Sequence, residues 1–574
     1  MSRKLALSAG LFVAVCLFLL RLAVSERRAA VPQELPSSQD GGDVTSAVNP
    51  PPAQTSKTTP KVVRQNRLPV TTSAMTGNSR QDVPERFPRE ALPNEAILSF
   101  YNQSDRAEFM KQSQNAGATI IEIMAFRNAV RLRVKDLAQL RDLLSRGPIP
   151  VEWGFNFYVS VPNPEPWGKD PRSAVTDYTA FGNQVLKWLG VNEDNAKWGS
   201  GVTVAIVDTG VGDHPALTGS DILRVSLLSD EAQDTDVLGG WHGTAVASLI
   251  VAGSSSKVEG IAPAATVLSV RVMPDEGPGD VFSLARGIVE AVDRGAKVIN
   301  ISLAAHGDSF LLREAVAYAQ QRGAVVVAAS GNDAVEGVCY PARYDGVVAV
   351  TAVDADSRHV YFANRGPEIA LAAPGIGLLA AWTNQSVGAF SGTSAAAPLV
   401  TGAIAALLSM DRTLTPASAA KLLREYADDA GAPGPDDEFG WGILNLERVL
   451  TRNVAGIMDA AAGDLYVRSG MTSSEDALVG IAVQNRGTVP LYCVHLDVVV
   501  GGIPSRWNFY NLRVGETDSH EFRLSRARLQ QGPIPIAWVA TIEGGSDARP
   551  DNNARNGTIY LATSGAEVRQ GGGR

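Results

Sequence analysis

Three short stretches hold the residue types that together make an activated serine. At Val202–Asp208 an apolar run ends in a carboxylate, and Thr209 and Gly210 supply a turn after it. Strand ends are where sites collect in open α/β sheets. Trp241–Ala247 opens a helix with His242 at its start. Phe390–Pro398 places Ser394 where a glycine turn enters a helix, so that helix N-terminal N–H groups face incoming negative charge. Each stretch alone has an ordinary explanation: a turn carboxylate, a helix-start histidine, an N-cap serine. In the chain order Asp, His, Ser they supply what a hydroxyl lacks at neutral pH, a base to take its proton and a carboxylate to hold that base's tautomer. A fourth stretch, Ala324–Asp333, carries a buried strand into Gly331 and Asn332. Alone Asn332 is a turn residue. Beside Ser394 its amide, with the Ser394 backbone N–H, would donate to the oxyanion formed when the serine attacks a carbonyl.

These four stretches resemble the subtilisin-like serine peptidases, the subtilase family. The likeness continues in order through Gly260–Thr266, Val298–Leu303, Tyr340–Tyr344, Ala373–Gly375 and Phe439–Asn445, and covers about Leu186 to Leu450. It implies a serine endopeptidase working through an acyl-enzyme on Ser394, with Asp208 orienting His242, His242 as general base and then acid, and Asn332 as oxyanion donor. It further implies that Ser302, Leu303 and Ala304 pair with substrate backbone as an added strand. Gly277 and Gly279 would form the opposite rim, and Gly331 and Cys339 the wall of the primary specificity pocket. Cys339 stands where many subtilases have glycine. A side chain there would make the pocket shallower and favour small or medium apolar residues; a buried structural cysteine is the alternative.

The sequence also departs from the family pattern. Ala245 and Ser248 replace the usual His and Gly, and Ala395 and Leu399 replace Met and His. These changes motivate a rival reading, a catalytically weak pseudopeptidase serving as an extracellular binding or adhesion protein. The family's calcium site is not expected. His214 and Pro215 are followed by Ala216, and the loop Gly253–Glu259 carries Lys257; losing a carboxylate and gaining an ammonium both weaken a hard-cation site. No metal and no cofactor are expected.

The elements that must position these residues alternate. Strands are predicted at 202–207, 266–272, 297–302, 324–329 and 347–352, and helices at 244–252, 281–294, 310–321 and 395–410. That alternation, with the resemblance, predicts an α/β fold: a subtilisin-like parallel sheet covered by helices on both faces. Before it, the order strand, helix, strand, strand, helix, strand predicts a small α+β ferredoxin-like domain that resembles a subtilase propeptide. After it, strand candidates at 477–485, 492–500, 520–524 and 534–542 predict an all-β Ig-like sandwich.

The expected boundaries are a signal peptide or membrane anchor at 1–25, a disordered linker at 26–90, a propeptide-like domain at 91–162, the catalytic domain at 163–455, the Ig-like sandwich at 456–564 and a disordered tail at 565–574. Arg3 and Lys4 precede an apolar run from Leu5 to Leu20 that suits a signal-peptide core; an uncleaved anchor is the alternative. Either places the chain outside the cytoplasm, as a secreted, periplasmic or membrane-tethered protein. Self-cleavage is expected between Val159 and Thr176. The net charge of −9 argues against a nucleic-acid partner, leaving protein or peptide substrates, and a monomer is expected. The 3 cysteines, Cys16, Cys339 and Cys493, are too scattered for a disulfide framework, and no Cys/His spacing along the chain matches a zinc site. His306 reads as an exposed loop residue near the cleft, and His359 as structural.

Overall fold

Runs of Val, Ile and Ala with little alternation mark strands buried on both faces, and six of them, with a more polar edge strand, form one sheet. The computed structural model describes residues 83–162, 178–191, 194–228, 240–253, 257–382, 385–468, 476–561 and 568–573. The expected export segment, most of the expected linker and residues 163–176 of the expected self-cleavage region lie outside the described residues.

The large sheet contains β5 (Thr203–Asp208), β6 (Ile222–Ser226), β7 (Thr266–Arg271), β9 (Val298–Ile301), β10 (Val325–Ala329), β11 (Val348–Val353) and β12 (Ile369–Pro374). Its order is β12-β11-β10-β9-β5-β7-β6, with every pairing parallel. Successive strand residues face opposite ways, and the two faces have separate cores. Val204, Ile206, Val298, Val327 and Val350 pack with helices α3 (Trp241–Val251) and α6 (Thr393–Met410). Ala205, Val207, Ile299, Ile301 and Val326 pack with α4 (Val281–Asp293) and α5 (Phe310–Gln321). Each fully buried Val, Ile or Leu contributes about 1.5–3 kcal/mol relative to exposure, so the sheet holds its loops to a rigid frame.

The N-terminal unit runs β1 (Ala91–Ser99), α1 (Gln103–Asn115), β2 (Thr119–Met124), β3 (Ala129–Arg133), α2 (Leu137–Arg146) and β4 (Glu152–Val159). Asn102 and Asp136 cap its helices, each accepting a backbone N–H two or three positions into the first turn. The strand order β2-β3-β1-β4 continues into β8 (Gly279–Asp280) of the catalytic domain. The apolar core under this sheet is shared with α4 and α5: Phe109, Leu140, Trp153 and Phe155 belong to the same cluster as Phe282 and Leu312. Polar contacts pin the junction. Asp280, the N-cap of α4, accepts from Arg131 at 2.9 Å, and Asn156 Oδ1 accepts the Phe282 N–H at 3.2 Å. Glu122 pairs with Arg286.

The C-terminal unit is all-β and antiparallel. β15 (Ala460–Val467), β16 (Ala477–Asn485) and β19 (Thr517–Leu524) make one sheet. β17 (Leu491–Val500), β18 (Ile503–Leu512), β20 (Ile534–Ile542), β21 (Ala554–Leu561) and β22 (Val568–Gly573) make the other. Residues of both sheets, among them Val479, Ile481, Leu496 and Trp538, share one core. The expected disordered tail at 565–574 is corrected here: Val568–Gly573 pairs antiparallel with β21 from Leu561 to Asn556. Main-chain pairing to a free sheet edge needs no side-chain pattern, so a glycine-rich strand leaves no periodic signal.

Candidate active site

The carboxyl end of β5 delivers Asp208, and α3 begins with His242 in its first turn. His242 Nδ1 and Asp208 Oδ1 are 2.8 Å apart, and both side chains are almost fully buried. The same carboxylate oxygen accepts the Thr209 N–H at 2.7 Å. Phe390 and Trp241 stand edge-on to the imidazole with centroids at 5.5 and 5.4 Å, fixing its plane from two sides. His242 Nε2 is buried without a hydrogen-bond partner, so it is available to accept a proton.

Ser394 lies in the first turn of α6, after a turn at Gly392 with φ +116°. A Cβ at Gly392 would come within 2.8 Å of Asn332 Nδ2, so the turn requires glycine. Ser394 Oγ donates to the Ser302 carbonyl at 3.2 Å, while the Ser302 hydroxyl donates to the Ser394 carbonyl at 3.1 Å. The second bond has a local cause. Pro398 sits inside α6 and has no N–H to return to Ser394 four residues earlier, which frees that carbonyl. The sequence reading missed what lies beneath. Asn300 donates to Ser302 Oγ at 3.0 Å and accepts from Thr401 Oγ1 at 2.9 Å. A polar residue inside the apolar run Val298–Ile301 was the available signal, since a buried amide must be partnered.

Asn332 follows β10. Its carbonyl accepts from Thr393 N at 3.0 Å and Thr393 Oγ1 at 2.9 Å, which turns Nδ2 toward the cleft. Nδ2 donates to the Pro162 carbonyl at 2.7 Å. Upstream, Ser160 and Ala304 exchange backbone hydrogen bonds at 3.0 and 2.9 Å, and Tyr158 and Val159 pair with Asp280 and Gly279. Residues 158–162 therefore lie as a strand between β8 and the segment Ser302–Ala304. Leu303 is fully buried in the core, so only its backbone can face the cleft. Gly277 is exposed, two residues before β8. Gly331 (φ +108°) packs directly on Cys339: an added Cβ would sit 2.7 Å from its Sγ. Burial, with Asp333 beside it, pushes the Cys339 thiol well above its ordinary range.

Asp275 was also missed. Burial holds its carboxyl above the usual range; Arg271 and a hydrogen bond from Thr209 oppose this, and the Asp208 charge adds to it. A strand-end carboxylate was again the signal, since Asp275 follows β7 as Asp208 ends β5. Ala216 turns into an apolar cluster with Ala252, Val258 and Ala381. That place does not fit a hard cation, and residues 254–256 of the neighbouring loop lie outside the described residues.

The Subtilase family profile matches residues 199–442. Subtilisin DY of Bacillus licheniformis is 35% identical over 257 residues, covering 43% of this chain and 90% of that protein. The chain belongs to the subtilase family. This subtilase is a serine-type endopeptidase. It is also 31% identical over 374 residues to the thermophilic serine proteinase of Bacillus sp. strain AK1, covering 63% of this chain and 88% of that one. The crystal structure of fervidolysin from Fervidobacterium pennivorans, a keratinolytic enzyme related to subtilisin, covers 85% of this subtilase and 92% of its own chain. At 18% identity and a TM-score of 0.53, it shares the fold.

Proposed function

We propose that Ser394 is the nucleophile, His242 its base, Asp208 the residue that orients His242, and Asn332 with the Ser394 N–H the oxyanion hole. We further propose that residues 91–162, a ferredoxin-like domain, are a propeptide removed by cleavage of the Pro162–Asn163 bond. One observation carries this reading: Asn332 Nδ2 meets the Pro162 carbonyl at 2.7 Å while Ser160 is paired with Ala304. The chain thus lays its own strand along the cleft with a peptide carbonyl on the candidate oxyanion donor.

In this mechanism Ser394 Oγ turns from the Ser302 carbonyl to His242 Nε2, gives up its proton there and bonds to the Pro162 carbonyl carbon. The oxygen becomes an oxyanion held by Asn332. The C–N bond to Asn163 then breaks, with His242 returning the proton to the leaving amine. Water, activated by the same imidazole, releases the acyl group. Protein substrates would follow the same path in trans. The residues around the triad differ from the family pattern, but they pack and do not react. The apolar N-terminal run supports an extracytoplasmic location, and the two sheets of the C-terminal unit support an Ig-like spacer or adhesion module.

The test is the new N-terminus. Purified full chain should convert to a species beginning at Asn163, read by intact mass and N-terminal sequencing. Active enzyme that begins within 91–150, or that keeps these residues covalently joined, would refute the assignment. Asn332→Ala should lower kcat by about 10²–10³ with little change in KM, because the oxyanion bond matures only in the transition state.

Proline at the cut also matters. Pro162 has no N–H to give the Ser302 carbonyl, and Ser394 Oγ holds that acceptor instead. Pro162→Ala restores a competing donor and should speed self-cleavage by roughly fivefold, the worth of about one net hydrogen bond. A time course of precursor mass reads this directly, and an unchanged or slower rate would remove Pro162 as the brake.

A further inference from the structure

Beside the cleft, three residues distant in sequence bring donor atoms together: Cys339 Sγ, His306 and Asp333, each pair of donor atoms within 4.8 Å. We propose that they form a binding site for a thiophilic divalent metal ion, of which Zn²⁺ is the natural probe. The expectation of no metal rested on the altered calcium-site residues and on Cys/His spacing along the chain, and this site is assembled only by folding.

The two edges from Cys339 fit a tetrahedral centre, and the His306–Asp333 donor pair lies within 4.8 Å. With Zn–S of about 2.3 Å and Zn–N or Zn–O of about 2.0–2.1 Å, tetrahedral S···N and S···O edges are ~3.5–3.6 Å. Cys339 Sγ lies 3.6 Å from His306 Nδ1 and 3.5 Å from Asp333 Oδ2. A thiolate, a carboxylate and a neutral imidazole also balance the charge of one divalent ion, which suits a half-buried place. Ligation releases the thiol proton to solvent.

The three ligands are held by neighbours that do not depend on a metal. Asn364, fully buried, donates from Nδ2 to Asp333 Oδ2 at 3.0 Å and to Cys339 Sγ at 3.4 Å, and its Oδ1 accepts the Asp333 N–H at 2.8 Å. The segment carrying His306 is tied to that carrying Cys339 by reciprocal backbone bonds between Ala305 and Tyr340, both 2.9 Å. Cys339 N donates to the Ser330 carbonyl at 3.0 Å. Such outer bonds orient metal ligands in built sites. The His306 and Asp333 side chains are 36% and 40% exposed, which leaves an entry path and a fourth position open to water. Because Asp333 adjoins Asn332, an ion here would sit at the edge of the cleft.

Co²⁺ gives a spectroscopic readout independent of peptidase activity. In a Cys16→Ser/Cys493→Ser chain, Cys339 is the sole thiol. This chain should develop a near-ultraviolet thiolate-to-cobalt charge-transfer band on Co²⁺ addition, and Zn²⁺ should abolish it. His306→Ala and Asp333→Asn in that background should each weaken Co²⁺ binding at least about tenfold. The Cys493→Ser change in that background removes the thiol of the other cluster, Cys493 with His495 and Glu543. Absence of the band in the Cys339-only chain would overturn the proposal. So would a band that survives both ligand substitutions undiminished. Labelling of Ser394 by a serine-directed phosphonate, run alongside, reports the peptidase reading separately.

Discussion

Ser394→Ala leaves the full chain at its original mass and lowers hydrolysis of casein by about 10⁶, the scale set by removal of the triad serine in subtilisin. The expectation follows from the isolation of this hydroxyl. Ser394 is 1% exposed, and its Oγ donates to the Ser302 carbonyl. His242 Nε2 is buried and has no hydrogen-bond partner among the described residues. Removing Oγ deletes one small polar group from a packed helix, so circular dichroism and thermal unfolding should match wild type. What remains is the residual rate from the Asn332 amide and substrate binding. If wild type and variant are equally inert while both are folded, the pseudopeptidase reading replaces the peptidase one. If the variant still shortens, another nucleophile or protease is responsible.

Asp208→Asn should cost about 10⁴ in kcat, as the equivalent change does in serine peptidases with this triad chemistry. The carboxylate accepts from His242 Nδ1 at 2.8 Å and from Thr209 N at 2.7 Å. Asparagine keeps the volume but can present its NH₂ to Nδ1. The ring then carries its proton on Nε2, where Ser394 needs an acceptor. The Thr209 N–H bonds to that same oxygen and loses its acceptor when the NH₂ faces Nδ1, a cost of about 1–3 kcal/mol that should leave the domain folded. Steady-state kinetics should show the loss in kcat with KM nearly constant, because the tautomer affects the chemical step rather than substrate pairing with Ala304 and Gly279. An effect below about tenfold would mean that His242 does not rely on Asp208.

Much of this site is legible in the sequence because short local patterns carry it. Strand-end Asp208, helix-start His242 and Ser394 after Gly392 each mark a turn or cap that the backbone must make, and the structure builds them on β5, α3 and α6. Five strands of the large sheet were legible for the same reason, since double burial leaves continuous apolar runs; β12 was not, because its alanine-rich Ile369–Pro374 carries little β-branched signal. β6 was not, because Ile222–Ser226 is an edge strand with polar residues. β18 was missed likewise: most of Ile503–Leu512 is exposed, so no apolar alternation marks it. Asn300, Thr401 and the Cys339–His306–Asp333 group depend on tertiary contact between distant segments, which no local period encodes. The seating of Pro162 on Asn332 belongs to the same class: the sequence predicts a cut between Val159 and Thr176, and the position proposed within it rests on the pairing of Ser160 with Ala304.

Helix α6 has the length and hydropathy of a membrane span, yet 89% of its most apolar window is buried inside the protein. Ser394 begins that helix. A nucleophile mounted on a surface loop can be lost by local fraying while the domain stays intact. Here the proposed nucleophile is anchored to a helix enclosed in the sheet's core. Heat or denaturant should therefore abolish turnover only as the whole domain melts, so an activity assay on this enzyme doubles as a gauge of its global unfolding.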